Sequence, residues 1–251
     1  MPRQPRATGC VVFSVDVSDQ HPHVDQVNDL FELFDTHRIP ATWAVERLQA
    51  RRVSSHVRES SVDHEVAVLG DASWLPAEHN RRTFYRALDE RMRDFRDERT
   101  RITTLVLNDV DLVDHLDLLV KHRISMVRCR TRKGAAAGPC LQPKSLRFGV
   151  WQAPPVISLS SRGSAGWWSE MKLRRAIHRC SRQGEIVHLM ARVDELLGSR
   201  ARLRMLEGIL ARVAEHCQRE SLSCLTLQQL ARRIQVRPTR VTSQSLLTRA
   251  A

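Results

Sequence analysis

The sequence lacks any long hydrophobic run, and this absence excludes a membrane-spanning helix. No apolar stretch approaches the roughly 18–20 residues that such a helix needs. The apolar run that begins at Cys10 is interrupted at Asp16, and no cleavage site follows it. It is therefore too short for the hydrophobic region of a secretory signal. We expect a protein without a membrane span that is located in the cytoplasm.

The sequence also lacks the short motifs of several nucleotide and metal sites. It contains neither G-x-x-x-x-G-K-[ST] nor G-x-G-x-x-G, which argues against the standard nucleotide-binding folds. No His-x-x-x-His occurs, and the cysteines form no C-x-x-C pair, so the usual zinc-ligand spacings are missing. We interpret the scattered cysteines as buried thiols without an assigned function.

Lysine is scarce, with four residues, so the formal net charge of +12 comes mainly from arginine. Such an arginine bias is as easily an effect of codon composition as a functional feature. The arginines are scattered, apart from a denser stretch at Arg128, Arg130, Arg132 and Lys133. A basic surface attracts anionic partners such as nucleic acid, phosphorylated sugars or membrane surfaces without choosing among them. Because no nucleic-acid reading motif is present, the sequence does not favour nucleic acid as a partner.

The composition is that of an ordinary globular protein, and the hydrophobic pattern predicts alternating strands and helices. The chain has 251 residues, of which 42% are hydrophobic and 27% are charged. We predict one domain over residues 10–235, between a flexible amino terminus (1–9) and a flexible carboxyl-terminal tail (236–251). The predicted strands are Val11–Val17, Ala41–Val45, Glu65–Leu69, Thr103–Leu107, Ser125–Arg130, Arg147–Trp151, Glu185–Met190 and Cys224–Leu225. The predicted helices are His23–His37, Glu78–Arg99, Leu112–His122, Met171–Cys180, Arg200–Cys217 and Leu227–Ile234.

Strands that alternate with helices indicate a parallel sheet with crossover helices. The number of units fits a (β/α) barrel of about seven parallel strands better than two domains. Reactive groups of such barrels lie at the carboxyl ends of the strands. The candidates selected by this rule are Asp16, Asp71, Asp109, Arg128, Arg130 and His188.

Each candidate also has a purely structural interpretation. Asp16 is either a general base or metal ligand at the barrel mouth, or a helix cap or turn residue. Asp71 and Ser73 either bind a ligand or form an Asx-type turn, and the turn is favoured. His188 lies inside an apolar strand, where a hydrogen-bonded core histidine is more common than a catalyst. Arg192 closes the same strand and faces either a substrate anion or only solvent.

Several segments resemble motifs of the polysaccharide deacetylases, the NodB-homology carbohydrate esterases. Val12–Asp19 (VFSVDVSD) is similar to the first motif of that family, which carries acidic residues. Phe34–Val45 is similar to the second strand, and His64–Ala67 (HEVA) to the lead-in of the metal motif. Ile186–Leu196 and Ile209–Leu230 are similar to the last motif and its closing helix. The resemblance covers most of residues 10–235 and implies a distorted (β/α) barrel of the deacetylase type.

The resemblance implies site residues, and this sequence departs from the family at the metal ligands. The catalytic base corresponds to Asp16, while the acidic metal ligand falls at Ser18 and the two metal histidines at Leu69 and Ser73. The histidine that serves as the acid falls near Met190 or Arg192, with His188 as a neighbouring position. The arginine of the middle motif corresponds to Arg128.

The family uses a divalent metal such as zinc to activate water and polarise the amide carbonyl, and leucine and serine cannot replace two imidazoles. We therefore expect no metal cofactor and a deacetylase-like protein of carbohydrate metabolism without metal-dependent N-deacetylation. It would bind a sugar-derived or other anionic ligand through Asp19, Asp71, Ser73, Arg128 and Arg192, or carry out metal-independent hydrolysis of a non-peptide carbon–nitrogen bond around Asp16 and His188. The alternative is an interaction protein whose basic surface binds nucleic acid or an acidic protein.

Overall fold

A computed structural model of the protein describes residues 8–19, 26–70, 74, 81–97, 100–108, 115–129, 142–159 and 166–236. The strands are β1 (Gly9–Val17), β2 (Thr42–Val45), β3 (Glu65–Gly70), β4 (Thr104–Leu107), β5 (Met126–Arg128), β6 (Lys144–Ser145), β7 (Trp151–Gln152), β8 (Val156–Ser158), β9 (Ile186–Arg192) and β10 (Leu222–Leu225). The helices are α1 (Gln26–Thr36), α2 (Ala50–Glu59), α3 (Arg81–Asp97), α4 (Leu116–Lys121), α5 (Gly166–Gln183), α6 (Val193–Leu197), α7 (Arg200–Gln218) and α8 (Leu227–Val236). Among the described helices, none has the length and apolar character to cross a bilayer.

The strands form one curled sheet that builds a half-barrel with helices around it. The order along the sheet is β6-β7-β5-β4-β3-β2-β1-β9-β8, and all these pairings are parallel except β6 with β7. The tenth strand, β10, pairs with residues 9–12 of β1, while β2 pairs with residues 14–17 of the same strand. The predicted parallel sheet with crossover helices is thus confirmed, with nine strands along this path rather than about seven.

The central strand β1 shows why this sequence forms a two-layered barrel. All nine of its residues are buried, as expected for a parallel strand covered on both faces. Val11, Phe13, Val15 and Val17 belong to the core between sheet and helices. The alternate residues face the barrel interior, because successive side chains of a strand point to opposite faces. This alternation places the polar Ser14 and Asp16 inside the barrel.

Helix α8 closes the amino-terminal end of the barrel through a buried carboxyl group. Glu65, at the start of β3, accepts hydrogen bonds from the Thr42 hydroxyl (2.9 Å), the backbone N–H of Gln228 (2.8 Å) and the Thr104 hydroxyl. The Leu227 N–H donates to Thr42 Oγ1 at 2.9 Å. Desolvation raises the pKa of Glu65, and the hydrogen bonds, first among them that of Thr104, oppose this shift. The polar residues at this end therefore anchor α8.

His64 is also a structural residue at this end of the sheet. Its Nδ1 accepts the Ala41 N–H at 3.0 Å, and its Nε2 lies 2.9 Å from Asp35 Oδ1. Ser60 Oγ donates to the same carboxylate oxygen at 2.7 Å. Burial lowers the pKa of His64, and the Asp35 hydrogen bond opposes that shift. This cluster ties α1 to the segment that enters β3.

The structure corrects several predicted elements. The strand predicted at Arg147–Trp151 is wrong for its first residues, because Arg147–Gly149 form a 3-10 turn and the strand is Trp151–Gln152. A positive φ of 60° at Phe148 interrupts extended backbone there. Strands β6 and β8 were not predicted, since two or three residues are too few for a periodic signal. Helix α2 was not predicted either, because few apolar residues mark its buried face.

Candidate functional site at the barrel mouth

A buried ion pair lies at the carboxyl-terminal end of the sheet, between two strands on opposite sides of the barrel. Asp16 is the penultimate residue of β1, and Arg128 is the last residue of β5. Arg128 Nη2 lies 2.6 Å from Oδ1 and 2.5 Å from Oδ2 of Asp16. The two residues are 4% and 5% exposed. Because charge-assisted hydrogen bonds of this length are strong, the pair fixes both side chains.

Asn108 completes the surroundings of this ion pair. Its Nδ2 donates to Asp16 Oδ2 at 3.2 Å, and its Oδ1 accepts from Arg128 Nη2 at 3.2 Å. Asn108 directly follows β4. The rule that reactive groups lie at the carboxyl ends of barrel strands, which we call the rule of strand ends, could therefore have identified it. The sequence analysis selected the adjacent Asp109 instead, which lies outside the described residues.

Arg128 also connects the ion pair to His188 through Ser14. Its Nη1 donates to Ser14 Oγ at 2.6 Å, and Ser14 Oγ lies 2.9 Å from His188 Nε2. His188 Nδ1 lies 3.0 Å from the carbonyl oxygen of Pro154. Because a carbonyl can only accept, Nδ1 carries a proton. Ser14 Oγ already accepts from Arg128, so its hydroxyl is assigned as the donor to Nε2 of a neutral imidazole.

The environment of His188 supports this protonation state. Desolvation lowers the pKa of His188 to about 3, the charge of Arg128 adds to the shift, and the bond to Pro154 opposes it. Ser14 and His188 lie at the distance of a nucleophile and its base, but they are 1% and 0% exposed. A substrate cannot reach either group without rearrangement. The geometry favours the hydrogen-bonded core alternative for His188, and its catalytic role stays a prediction.

Two predicted ligand-binding residues lie apart from this network. The Asp19 carboxylate accepts the Leu48 N–H at 3.0 and 3.1 Å, and the Asp19 N–H donates to Glu46 Oε2 at 2.7 Å. Asp19 therefore ties the loop after β1 to the loop after β2. The Arg192 side chain is 45% exposed and pairs with Asp194 at 2.9 Å. Its side chain thus pairs with the first turn of α6, although its backbone is the register partner of Asp16 at the barrel mouth.

The structure thus brings three of the predicted site residues together and leaves others untested. Asp16, Arg128 and His188 are joined through Ser14, which the sequence analysis did not select. The remaining candidates, Asp71, Ser73 and Arg130, lie outside the described residues. Their predicted roles stay predictions.

The described residues do not fit the metal site that the resemblance implies. Ser18 Oγ donates to Glu46 Oε2 at 3.3 Å. Leu69 is 4% exposed and belongs to a small apolar cluster with Ala44, Ala67 and Val106. Within the described part of the chain, no three or more His, Cys, Asp or Glu side chains gather as metal ligands would. A divalent metal needs several such donors converging on one point.

Comparisons with known proteins identify the fold. No protein-family model and no curated protein sequence matches the chain. A Mycobacterium smegmatis structure assigned as a polysaccharide deacetylase matches with a TM-score of 0.67 and 14% identity, covering 93% of this chain and 92% of that one. The PuuE allantoinase matches with a TM-score of 0.70 and 12% identity, covering 91% of each chain.

A third similar structure is a pseudoenzyme of the CE4 carbohydrate esterase family from Bacillus anthracis. It matches with a TM-score of 0.52 and 11% identity, over 89% of this chain and 66% of that one. A mutant of that protein has restored enzymatic activity. The chain therefore has the fold of the polysaccharide deacetylases and CE4 esterases, as the resemblance implied. At these identities the similarity establishes the fold alone.

Proposed function

We propose that the protein is a deacetylase-like, carbohydrate-binding protein that does not carry out metal-dependent N-deacetylation. The binding site is the barrel mouth above Asp16 and Arg128, and the ligand is a sugar-derived or other anionic molecule. The observation that carries the proposal is the contact of Arg128 with both oxygens of Asp16. This contact fixes one acidic and one basic group at the mouth, while Ser18 and Leu69 stand where the resemblance implies metal ligands.

The chemistry of water activation supports the loss of activity. A divalent metal lowers the pKa of bound water from 15.7 to about 7, so that hydroxide forms at neutral pH. Asp16 without a metal has no comparable means of generating the nucleophile. Leu69, at a position that corresponds to a metal histidine, offers no donor atom at all. A deacetylase that lost these ligands would retain its fold and a polar mouth.

The polar groups that remain at the mouth suit a carbohydrate ligand. Asn108 is half-buried and offers an amide donor and acceptor to hydroxyl groups, while the buried Asp16 and Arg128 hold that amide in place. The ion pair leaves little net charge there, which favours a neutral sugar or one with a single acidic group. The polysaccharide deacetylases among the similar structures support the same ligand class.

The test combines ligand binding with an assay of acetate release. Oligosaccharides with and without N-acetyl groups are titrated calorimetrically into the wild type, Asp16→Asn and a control, Asp29→Asn, which lies exposed on α1. We expect binding that Asp16→Asn weakens at least tenfold and Asp29→Asn does not change, with no acetate release. Acetate release that is lost in Asp16→Asn would show an active deacetylase. Absence of binding to every oligosaccharide would refute the proposed ligand class.

A further inference from the structure

A second polar feature lies on the outside of the barrel, where α5 and α7 pack side by side. Their exposed faces form a hollow of about 740 Å³. Its charged and titratable lining residues are all basic: Arg174, Arg175, His178, Arg179, Arg182 and Arg212. The other lining residues are the uncharged Met171 and Gln183. We call this hollow the α5–α7 groove.

The helical repeat of α5 produces this basic row. Leu173, Ala176, Ile177 and Cys180 are buried against the barrel, so the residues between them face outward. The outward positions recur at intervals of three and four residues, which places them along one side of a helix. Every basic lining residue of α5 is exposed. The row from Arg174 to Arg182 spans about 12 Å at 1.5 Å per residue.

The charge of the groove is not explained by the arginine content of the chain alone. An arginine bias adds positive charge everywhere but does not remove carboxylates. A hollow of about 550 Å³ on α3 contains Arg47, Arg86 and Arg93, but also Asp89, Glu90 and Asp94. In the α5–α7 groove the described lining residues include no carboxylate. From Met171 to Gly184 the sequence has no Asp or Glu.

Basic side chains also lie near the carboxyl end of α7. His216 lies there, and desolvation lowers its pKa while the carboxylate of Glu215 opposes the shift. The charges of Arg219, Arg212 and His178 lower it further. Glu215 itself is paired with Arg219 at 2.5 Å. The basic groups around the groove thus influence one another at short range.

We propose that the α5–α7 groove binds the phosphate backbone of nucleic acid, without reading base sequence. A row of about 12 Å matches the axial rise of three to four phosphates of one strand, at about 3.4 Å each. The described lining residues include no Phe, Tyr or Trp on which a base could stack. Contacts to phosphates alone give affinity and orientation but no sequence preference.

A concave surface without exposed apolar anchors favours a nucleic-acid strand over a membrane. The large exposed hydrophobic residues of the described chain are Leu48, Val120, Phe148, Val156 and Val236, and none lies on α5 or α7. Peripheral membrane helices insert such residues below the headgroups. The carboxyl end of α5 leads through Gly184 into the start of β9, at the amino-terminal end of the strands and opposite the mouth. The groove is therefore separate from the proposed carbohydrate site.

The experiment measures how binding of a fluorescent single-stranded 12-nucleotide DNA of mixed sequence depends on salt. The groove variant is Arg175→Gln with Arg179→Gln. The control is Arg86→Gln with Arg93→Gln, which removes the same charge from the α3 hollow. All four arginines are exposed, and thermal unfolding checks that both variants remain folded.

Each phosphate contact to a single strand contributes about −0.7 to the slope of log K against log salt concentration. If the five arginines that line the groove all contact phosphates, we expect a slope of about −3.5 for the wild type. The groove variant should reduce the magnitude of that slope by about 1.4, whereas the control variant should leave it unchanged. Equal losses in both variants would overturn the proposal, because they would reflect overall charge.

Two further ligands distinguish other sources of anionic groups. The first is a vesicle that contains phosphatidylserine, and the second is inorganic polyphosphate in solution. Both are tested with the same variants. Binding of either one through Arg175 and Arg179, with no binding of the oligonucleotide, would overturn the proposal. Competition by inorganic polyphosphate against bound oligonucleotide at the groove would support recognition of the phosphate chain.

Discussion

Substitution of Arg128 by methionine tests the physical role of the buried ion pair. Methionine is a long unbranched side chain that lacks the charge and the donors of arginine. In Arg128→Met, Asp16 keeps the Asn108 amide at 3.2 Å as a partner but loses both contacts to the guanidinium. Ser14 loses the donor at 2.6 Å. A carboxylate that is 4% exposed would then lack a counter-charge.

The expected cost follows from the burial of the pair. Removing one member of a buried ion pair costs about 3–5 kcal/mol, because the remaining charge is desolvated without compensation. Arg128→Lys should cost less, about 1–3 kcal/mol, since one ammonium group cannot replace two guanidinium nitrogens that contact Ser14 and Asp16. The double variant Arg128→Met with Asp16→Asn removes both charges. It should be more stable than the sum of the single variants by about 2 kcal/mol.

Urea unfolding followed by far-ultraviolet circular dichroism at pH 7 measures these free energies. Arg86→Met, an exposed substitution on α3, serves as the control and should change stability by less than about 0.5 kcal/mol. A loss below about 1 kcal/mol in Arg128→Met, compared with the 3–5 kcal/mol expected of a buried pair, would refute the reasoning. Additive effects in the double variant would refute it as well.

The remaining predictions concern other buried polar residues, and urea unfolding at several pH values tests each of them. Burial raises the pKa of Glu65 above 4.5, so its contribution to stability is full below that pH and is lost as pH rises through the folded pKa. Glu65→Gln should therefore gain stability relative to the wild type as pH rises above 4.5, unlike the exposed Glu207→Gln, and a constant difference would contradict this. The pKa of His188 falls from 6.5 to about 3, so its contribution is full above 6.5 and decreases towards pH 3. Because of His188, the free energy of unfolding of the wild type should fall by about 1.4 kcal/mol for each unit that pH drops between 6.5 and 3, and His188→Gln should remove this contribution. An unchanged dependence on pH would contradict the buried neutral state. Asp35→Ala leaves the His64 imidazole without its acceptor and should cost about 1–3 kcal/mol, and no loss at pH 7 would contradict that role.

Hydrophobic periodicity predicted the long elements of the fold because their burial patterns are regular. Strand β1 and helix α7 are examples, since each has apolar residues at the spacing of its own secondary structure. The pattern could not predict β8, which has three residues and follows two prolines. It also could not show that β2 and β10 share one side of β1, because pairing depends on residues far apart in the chain.

The sequence predicted some members of the candidate site, but neither Ser14 and Asn108 nor the contacts among the residues. The rule of strand ends selected Asp16 and Arg128, yet their pairing joins residues separated by 112 positions. The rule also selected His188, whose contacts with Ser14 and Pro154 depend on the curvature of the sheet. Asp19 was predicted as a ligand residue, but its partner Leu48 belongs to a different loop. Local sequence carries no information on such distant partners.

The most direct test of the central claim is a zinc titration at the barrel mouth. Wild-type protein and Asp16→Asn are dialysed against a chelator and titrated with Zn²⁺ by calorimetry. The account predicts no stoichiometric zinc binding to either protein, because Leu69 supplies no donor where the resemblance implies a metal histidine. Uptake of one zinc ion per chain would contradict it.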